Sequence, residues 1–269
     1  MKESLRVLRY PALAIVLMLG MQLVGGSIVA SVAVVLGKMD NLMSLFAVGL
    51  LVSSVLTIIA MLTIRGFGLR HSFSRLGCSY SNAALAFVGI LAGTAAAEMV
   101  TELMQLPNTM EEQFTDLSQT AAGVLAIGIT GPICEELVFR GGVMRPLLRE
   151  GVAVRHAILL SALIFGINHL NWAQIPFAIM VGIAYGVVYV RTQSLILTSL
   201  CHIINNMTAV WLMRHATEGA DEWTFREALG LPLMLAVILS LSALCVVLLC
   251  LFWRRTQPVG DAPCSTSAD

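Results

Sequence analysis

From the N-terminus the chain alternates long apolar runs with short polar breaks. Eight of the runs approach the roughly 20 residues that a helix needs to cross a hydrocarbon core. They fall at 11–37, 41–64, 81–106, 119–145, 156–171, 173–190, 194–214 and 230–253. The fifth and sixth are short and are parted only by Asn171 and Trp172, which predicts a tight helical hairpin. The polar breaks at 65–80, 107–118 and 215–229 are too short to bury a core of their own. The pattern therefore predicts one all-α transmembrane domain over residues 1–255. The tail 256–269, with Pro258, Gly260, Pro263 and several Ser and Thr, reads as disordered. The first run follows Lys2, Arg6 and Arg9 much as a signal peptide begins, but it far exceeds the ~7–15 apolar residues of such a peptide and predicts an anchor that stays.

Composition changes the picture only by sharpening it. Of 269 residues 58% are hydrophobic and 12% charged, where a soluble domain carries about a quarter charged. The chain reads as a polytopic integral membrane protein whose first partner is the lipid bilayer. Sixteen Lys plus Arg balance sixteen Asp plus Glu, so the basic excess that neutralises nucleic-acid phosphates is missing, which argues against nucleic acid as a partner. The six cysteines, Cys78, Cys134, Cys201, Cys245, Cys250 and Cys264, form no CxxC pair, which argues against a disulfide framework or a zinc ribbon.

Short cytoplasmic loops are enriched in Lys and Arg, so the positive charges give the orientation. With the N-terminus inside, the inner segments hold Lys2, Arg6, Arg9, Arg65, Arg70, Arg75, Arg145, Arg149, Arg155, Arg191, Arg254 and Arg255. The outer segments hold only Lys38, Arg214 and Arg226, together with the acidic groups Glu111, Glu112, Asp116 and Glu218, Asp221, Glu222. Both termini are thus expected in the cytoplasm.

An ionisable side chain at membrane depth costs at least ~2.5–3.5 kcal/mol on insertion scales, so each one calls for a partner or a task. The fourth run carries Glu135, Glu136 and Arg140 in CEELVFRGG, the fifth Asn168 and His169 in FGINHL, and the seventh His202, Asn205 and Asn206 in CHIINNM. Residues four apart share a helix face and adjacent residues diverge by about 100°. Glu136 and Arg140 can therefore pair within their helix, while Glu135 points elsewhere and keeps no counter-ion there. Glu135 lies fourteen residues before Arg149, His169 fourteen after Arg155, and His202 and Asn206 eleven and fifteen after Arg191. At 1.5 Å per residue these become about 21, 21, 16 and 22 Å from the inner arginines. Three separate helices bring Glu, His, His and Asn to one level.

Two chemistries suit such a set. It could bind a metal such as zinc, with Glu135, His169 and His202 as ligands and an open position for an activated water. Alternatively, Glu135 is the general base, His169 helps hold the water, and His202 with Asn206 donates to a developing oxyanion. Both lead to hydrolysis of a carbonyl compound, most naturally a peptide bond. No HExxH is present, which removes the soluble zincin as a template.

At these residues the chain resembles the CPBP family of intramembrane proteases, which includes type II CAAX prenyl endopeptidases and bacterial proteins associated with bacteriocin maturation and self-immunity. The resemblance covers about residues 119–214. The family's Glu-Glu-x-x-x-Arg stands here as Glu135-Glu136 with Arg140, its Phe-x-x-x-His as Phe165 with His169, and its His-x-x-x-Asn as His202 with Asn206. The resemblance implies an all-helical cavity open toward cytoplasm and lipid, and a peptide or small membrane-protein substrate. It makes Glu135 the catalytic base or a metal ligand and His169 the residue that positions or helps activate the water. His202 and Asn206 become oxyanion donors, with His202 a further ligand if a metal is bound, and Glu136 with Arg140 a structural pair. It leaves open a metalloprotease or a metal-free glutamate mechanism. The compact chain looks like the bacterial branch, which implies an inner (plasma) membrane location and a role in peptide maturation or immunity.

The remaining polar and small residues read as packing. Glu98 and Glu102 lie near the outer end of their run, where snorkelling or an outer hydrogen bond is expected. Asn168 and Asn205 are expected to pack, His71, His156 and His215 to face water or headgroups, and Cys134 and Cys201 to turn away from the site. Gly89, Gly93, Gly182 and Gly186 suit close helix contacts. Gly141-Gly142 followed by Pro146 would bend or end the fourth helix. Two other function classes stay open: a non-catalytic immunity or scaffold protein, and a proton-coupled transporter, against which the two halves show no similarity.

Overall fold

The structure is a computed structural model that describes residues 2–38, 41–69, 72–215 and 224–257, with side chains from Val7 onward. Arg70, His71, Glu218, Asp221, Glu222, Cys264 and residues 258–269 of the expected tail lie outside the described residues. Among the described residues every regular element is helical: α1 (Lys2–Val35), α2 (Leu42–Thr63), a 3-10 turn at Arg65–Phe67, α3 (Tyr80–Met104) and α4 (Glu111–Gln119). Then follow α5 (Ala121–Arg149), α6 (Val154–Asn168), α7 (Gln174–Thr192), α8 (Leu195–His215) and α9 (Phe225–Arg255). This is an all-α polytopic membrane protein. Backbone groups in hydrocarbon find no water, and a helix satisfies them within itself.

Seven of these helices are long and apolar enough to span: α1 over Val7–Val35, α2, α3, α5, α7, α8 and α9. The expected eighth is not. α6 has 15 residues, about 22 Å of rise against a core of about 30 Å. It ends where Leu170 takes a left-handed conformation, φ 52°, and the chain turns back into α7 as the predicted hairpin. The turn is roofed by the connection that follows α3. Asn171, fully buried, donates to Asn108 Oδ1 at 2.8 Å and accepts from the Thr109 amide at 3.4 Å. The same roof continues into α4, a helix that hydropathy did not indicate, with Glu111 and Glu112 in its first turn, where the helix dipole favours acids.

Side-chain contacts sort the loops into two ends. At one end Arg145 donates to Gly68 O at 2.6 Å, Arg149 to Phe67 O at 3.5 Å, and the Ser194 hydroxyl to Arg75 O at 2.6 Å. Arg191 lies over the Trp253 ring at 4.1 Å and donates to its carbonyl. At the other end Arg214 donates to Ser118 O at 2.9 Å. There Glu102 accepts from the amides of Phe225 and Arg226, both at 2.9 Å, a carboxylate at the start of α9 where its free N–H groups point. This is the outer hydrogen bond expected of that acid. α9 breaks at Gly230, φ 69°, before its apolar stretch, close to the predicted start at 230.

α5 forms the centre, packed by α1, α2, α6 and α8, while α3 pairs with α9 and α7. It does not end at Gly141-Gly142, one of the two outcomes expected there. Instead it widens into π turns over Ala126–Thr130 and Leu137–Met144 and runs on to Arg149. Pro132 and Pro146 lack the N–H that an α turn would use, and the π turns reroute the neighbouring amides: Gly131 N bonds Ala126 O and Arg145 N bonds Arg140 O. The glycines serve contact. A Cβ on Gly142 would lie 2.5 Å from Ala14 Cβ and 2.7 Å from Met61 Cε, so α1 and α2 rest on the bare backbone of α5. Gly93 and Gly182 likewise admit Cys245 of α9 and Ala162 of α6.

Gly142→Val is expected to lower the stability of the purified protein by about 1–3 kcal/mol through overpacking. Gly20→Ala, where nothing lies within 4 Å, is expected to leave it unchanged. Thermal unfolding of both variants in detergent checks the pair, and equal midpoints would contradict the close contact.

Candidate active site

Arg140 is 1% exposed in the middle of the bundle. A guanidinium there needs several partners, and it has them on three helices. Its Nη1 donates to Glu136 Oε1 at 2.9 Å, one turn earlier on α5, which is the predicted i, i+4 pair. Its Nη2 donates to Gly182 O on α7 at 3.1 Å. Its plane lies against the rings of Phe165 on α6 and Tyr185 on α7, at 4.8 and 5.2 Å, where each π face attracts the cation. The Ser161 hydroxyl adds a tie from α6 to Phe139 O of α5 at 2.8 Å.

Glu136 does more than pair with Arg140. Its Oε1 also lies 3.2 Å from His202 Nδ1 on α8. A carboxylate only accepts, so Nδ1 carries the proton and donates. The opposite nitrogen, Nε2, stands 3.4 Å from Glu135 Oε2. One imidazole thus bridges two successive glutamates that leave α5 in directions about 100° apart. Glu136 is fully buried, while the Glu135 side chain is 26% exposed, so the two carboxylates differ in access as well as in partner. The Tyr185 ring tilts against the His202 ring at 5.3 Å.

His169 caps α6, its Nδ1 against Phe165 O at 2.9 Å. It makes no hydrogen bond or ion pair with Glu135 among the described residues; the Phe165 ring links it to the rest, edge-on at 4.9 Å to His169 and at 5.8 Å to His202. Asn206 lies one turn beyond His202 on α8. Its Nδ2 donates to Ile127 O, in the first π turn of α5, at 2.9 Å, and its Oδ1 accepts from Asn205 at 3.1 Å. The two bonds fix which way the Asn206 amide faces and leave one N–H of its NH2 group for another acceptor.

The structure therefore joins Glu135, Glu136, Arg140, Phe165 and His202 directly, and brings His169 and Asn206 to the edges of that group. Three residues outside the sequence expectation take part. Asn205 orients Asn206 rather than merely packing, Asn168 lines a small cavity beside Glu135, and Tyr185 shelves His202 and Arg140. An Asn beside a site residue was visible as a signal; a Tyr in an apolar helix carried none.

Glu136 holds Nδ1 of His202 and leaves Nε2 toward Glu135, and among the described residues no three His, Cys, Asp or Glu side chains are grouped to share an ion. The chemistry is accordingly derived from the side chains alone.

Residues 117–208 match the family described as Type II CAAX prenyl endopeptidase Rce1-like. The matched segment covers about a third of the chain, from the end of α4 into α8, and contains all of the site residues above. No curated protein and no solved structure matches the chain.

Arg140→Leu strands the buried Glu136 charge, and its expected cost is about 3–5 kcal/mol. Adding Glu136→Leu to Arg140→Leu removes the stranded charge, so the double variant is expected to be the more stable of the two. Unfolding midpoints of the three proteins in one detergent decide it; a double variant that loses the sum of two large single losses would contradict the paired burial.

Proposed function

We propose, from the match of residues 117–208 to the Rce1-like type II CAAX prenyl endopeptidase family, that the chain is an intramembrane endopeptidase in which Glu135 activates the hydrolytic water. The observation that carries this reading is the unequal treatment of two adjacent glutamates. Glu136 is buried and spent on Arg140 and His202, whereas Glu135 is accessible and, among the described residues, has His202 Nε2 as its one ion-pair contact.

In the proposed reaction the carboxylate of Glu135 takes a proton from water as the water oxygen attacks the peptide carbonyl carbon. The carbonyl oxygen becomes an oxyanion. The free N–H of Asn206, already aimed by a second bond, is its proposed donor, with the His202 ring beside it. Glu135 then returns its proton to the leaving nitrogen, the C–N bond breaks, and a carboxylate and an amine result. His169, with its Nδ1 held by Phe165 O, presents Nε2 to hold the water or the substrate amide. The side chains balance protons by themselves, and no metal enters the scheme.

The proposed substrate is a peptide or small protein in the membrane, in a bacterial inner membrane, with peptide maturation or protection against a peptide toxin as the biological role. The reading places both termini in the cytoplasm on the arginine distribution, with the short α6 making the eighth pass of the chain. The gathering of Arg65–Phe67, Arg75, Arg145, Arg149 and Arg191 at one end of the bundle supports that assignment.

Mass-spectrometric mapping of peptide termini, in membranes of cells that make equal amounts of wild type or Glu135→Gln, tests the reading. New termini are expected with the wild type only. Identical termini from two equally folded proteins would sink the peptidase reading.

A further inference from the structure

Glu135 has two sides. One faces His202; the other forms part of the wall of a cavity of about 50 Å³ that lies among α1, α2, α5 and α6. We propose that this cavity stores the hydrolytic water beside Glu135, held by Thr57, Ser53, Gln22 and Asn168. The inference rests on the peptidase reading above and assigns a task to four residues that lie outside the motif.

Size comes first. A buried water occupies about 10–15 Å³ of such space, whereas ligand pockets start at about 300 Å³. The cavity admits one or a few waters and no peptide. Its lining then matches what a water asks for. The Thr57 hydroxyl donates to Ser53 O at 2.8 Å, and the Ser53 hydroxyl to Gly49 O at 2.6 Å. Both protons are thereby committed to backbone carbonyls, and the two oxygens, like Glu135, are left to accept. Asn168 and the exposed Gln22 line the same cavity, and neither side-chain amide makes a hydrogen bond within the described residues, so their N–H groups are available to donate. A water there can give one proton toward Glu135 and one toward Thr57 or Ser53, and receive a bond from an amide.

Depth agrees independently. Gln22 stands thirteen residues after Arg9, about 20 Å along α1, the level already found for Glu135. An unpartnered Gln at that depth is costly unless water or another polar group meets it. The histidines are not part of this wall. Water is thus held on the side of Glu135 away from His202.

The test combines a high-resolution structure of the full chain in lipid nanodiscs with turnover of a substrate peptide found by terminus mapping. The wild type is expected to hold ordered water within hydrogen-bond reach of both Glu135 and Thr57, and Thr57→Val to lose it. Thr57→Val keeps the shape and the fold but is expected to lower kcat about tenfold with KM unchanged, and Thr57→Ser to restore it. Asn168→Leu, on a different helix, is expected to do the same and guards against a folding defect in the first variant. A dry cavity in the wild type overturns the proposal. So does wild-type turnover by Thr57→Val and Asn168→Leu while Glu135→Gln is inactive, an outcome that leaves the peptidase reading standing. If the wild type generates no termini of its own, the peptidase reading and the water store fall together.

Discussion

A guanidinium buried at membrane depth is the constraint on which the rest of this structure depends. Arg140 cannot shed its charge and cannot reach water, so its donors must be met by the protein. That requirement recruits Glu136 from its own helix, a carbonyl and an aromatic face from α7, and an aromatic face from α6. Three helices are thereby fixed around one side chain. Phe165 and Glu136, which the sequence pattern presents as separate motif members, are partners of the same cation. Gly182 serves the same end, since its missing side chain lets α6, with Ala162 and Phe165, come close to α7.

The chemistry inherits its geometry from that fixed point. Glu136 is held by Arg140 and in turn holds His202 through Nδ1. With one nitrogen committed, the imidazole presents the other to Glu135. A consecutive Glu-Glu pair is what a helix needs to reach two targets from one place, because successive side chains diverge by about 100°. The first glutamate faces the reactive side and the second faces the scaffold. This division of labour explains why two adjacent acids stand where even one is expensive, and it makes Glu136 a positioning residue for the proposed reaction.

Much of this was legible in the sequence, and the rest was hidden for physical reasons. Apolar runs marked the spans because lipid demands them, and the i, i+4 spacing of Glu136 and Arg140 marked an ion pair because helix geometry is nearly invariant. Counting residues from the flanking arginines placed Glu135 and His202 at similar depth, and they lie 3.4 Å apart. The short fifth run and its hairpin were visible, but the polar turn that closes it, satisfied by Asn108 across the fold, was not. The contact of Glu136 with His202 was equally invisible, because spacing describes one helix at a time. Pro146 and the paired glycines suggested a bend, but π turns absorbed the missing amide and packing used the missing side chains. Nothing in the sequence singled out Thr57 and Ser53, which join the wall of the cavity beside Glu135 only through the packing of α2.

The central claim is that Glu136 fixes the proton of His202 on Nδ1 and so turns Nε2 toward Glu135. Nitrogen-15 NMR of histidine-labelled protein in lipid nanodiscs, with His202 assigned by its loss in His202→Gln, reads the tautomer directly and needs no substrate. The account predicts that Nδ1 is protonated in the wild type and that this preference is lost in Glu136→Leu. A neutral His202 with its proton on Nε2 in the wild type would contradict it.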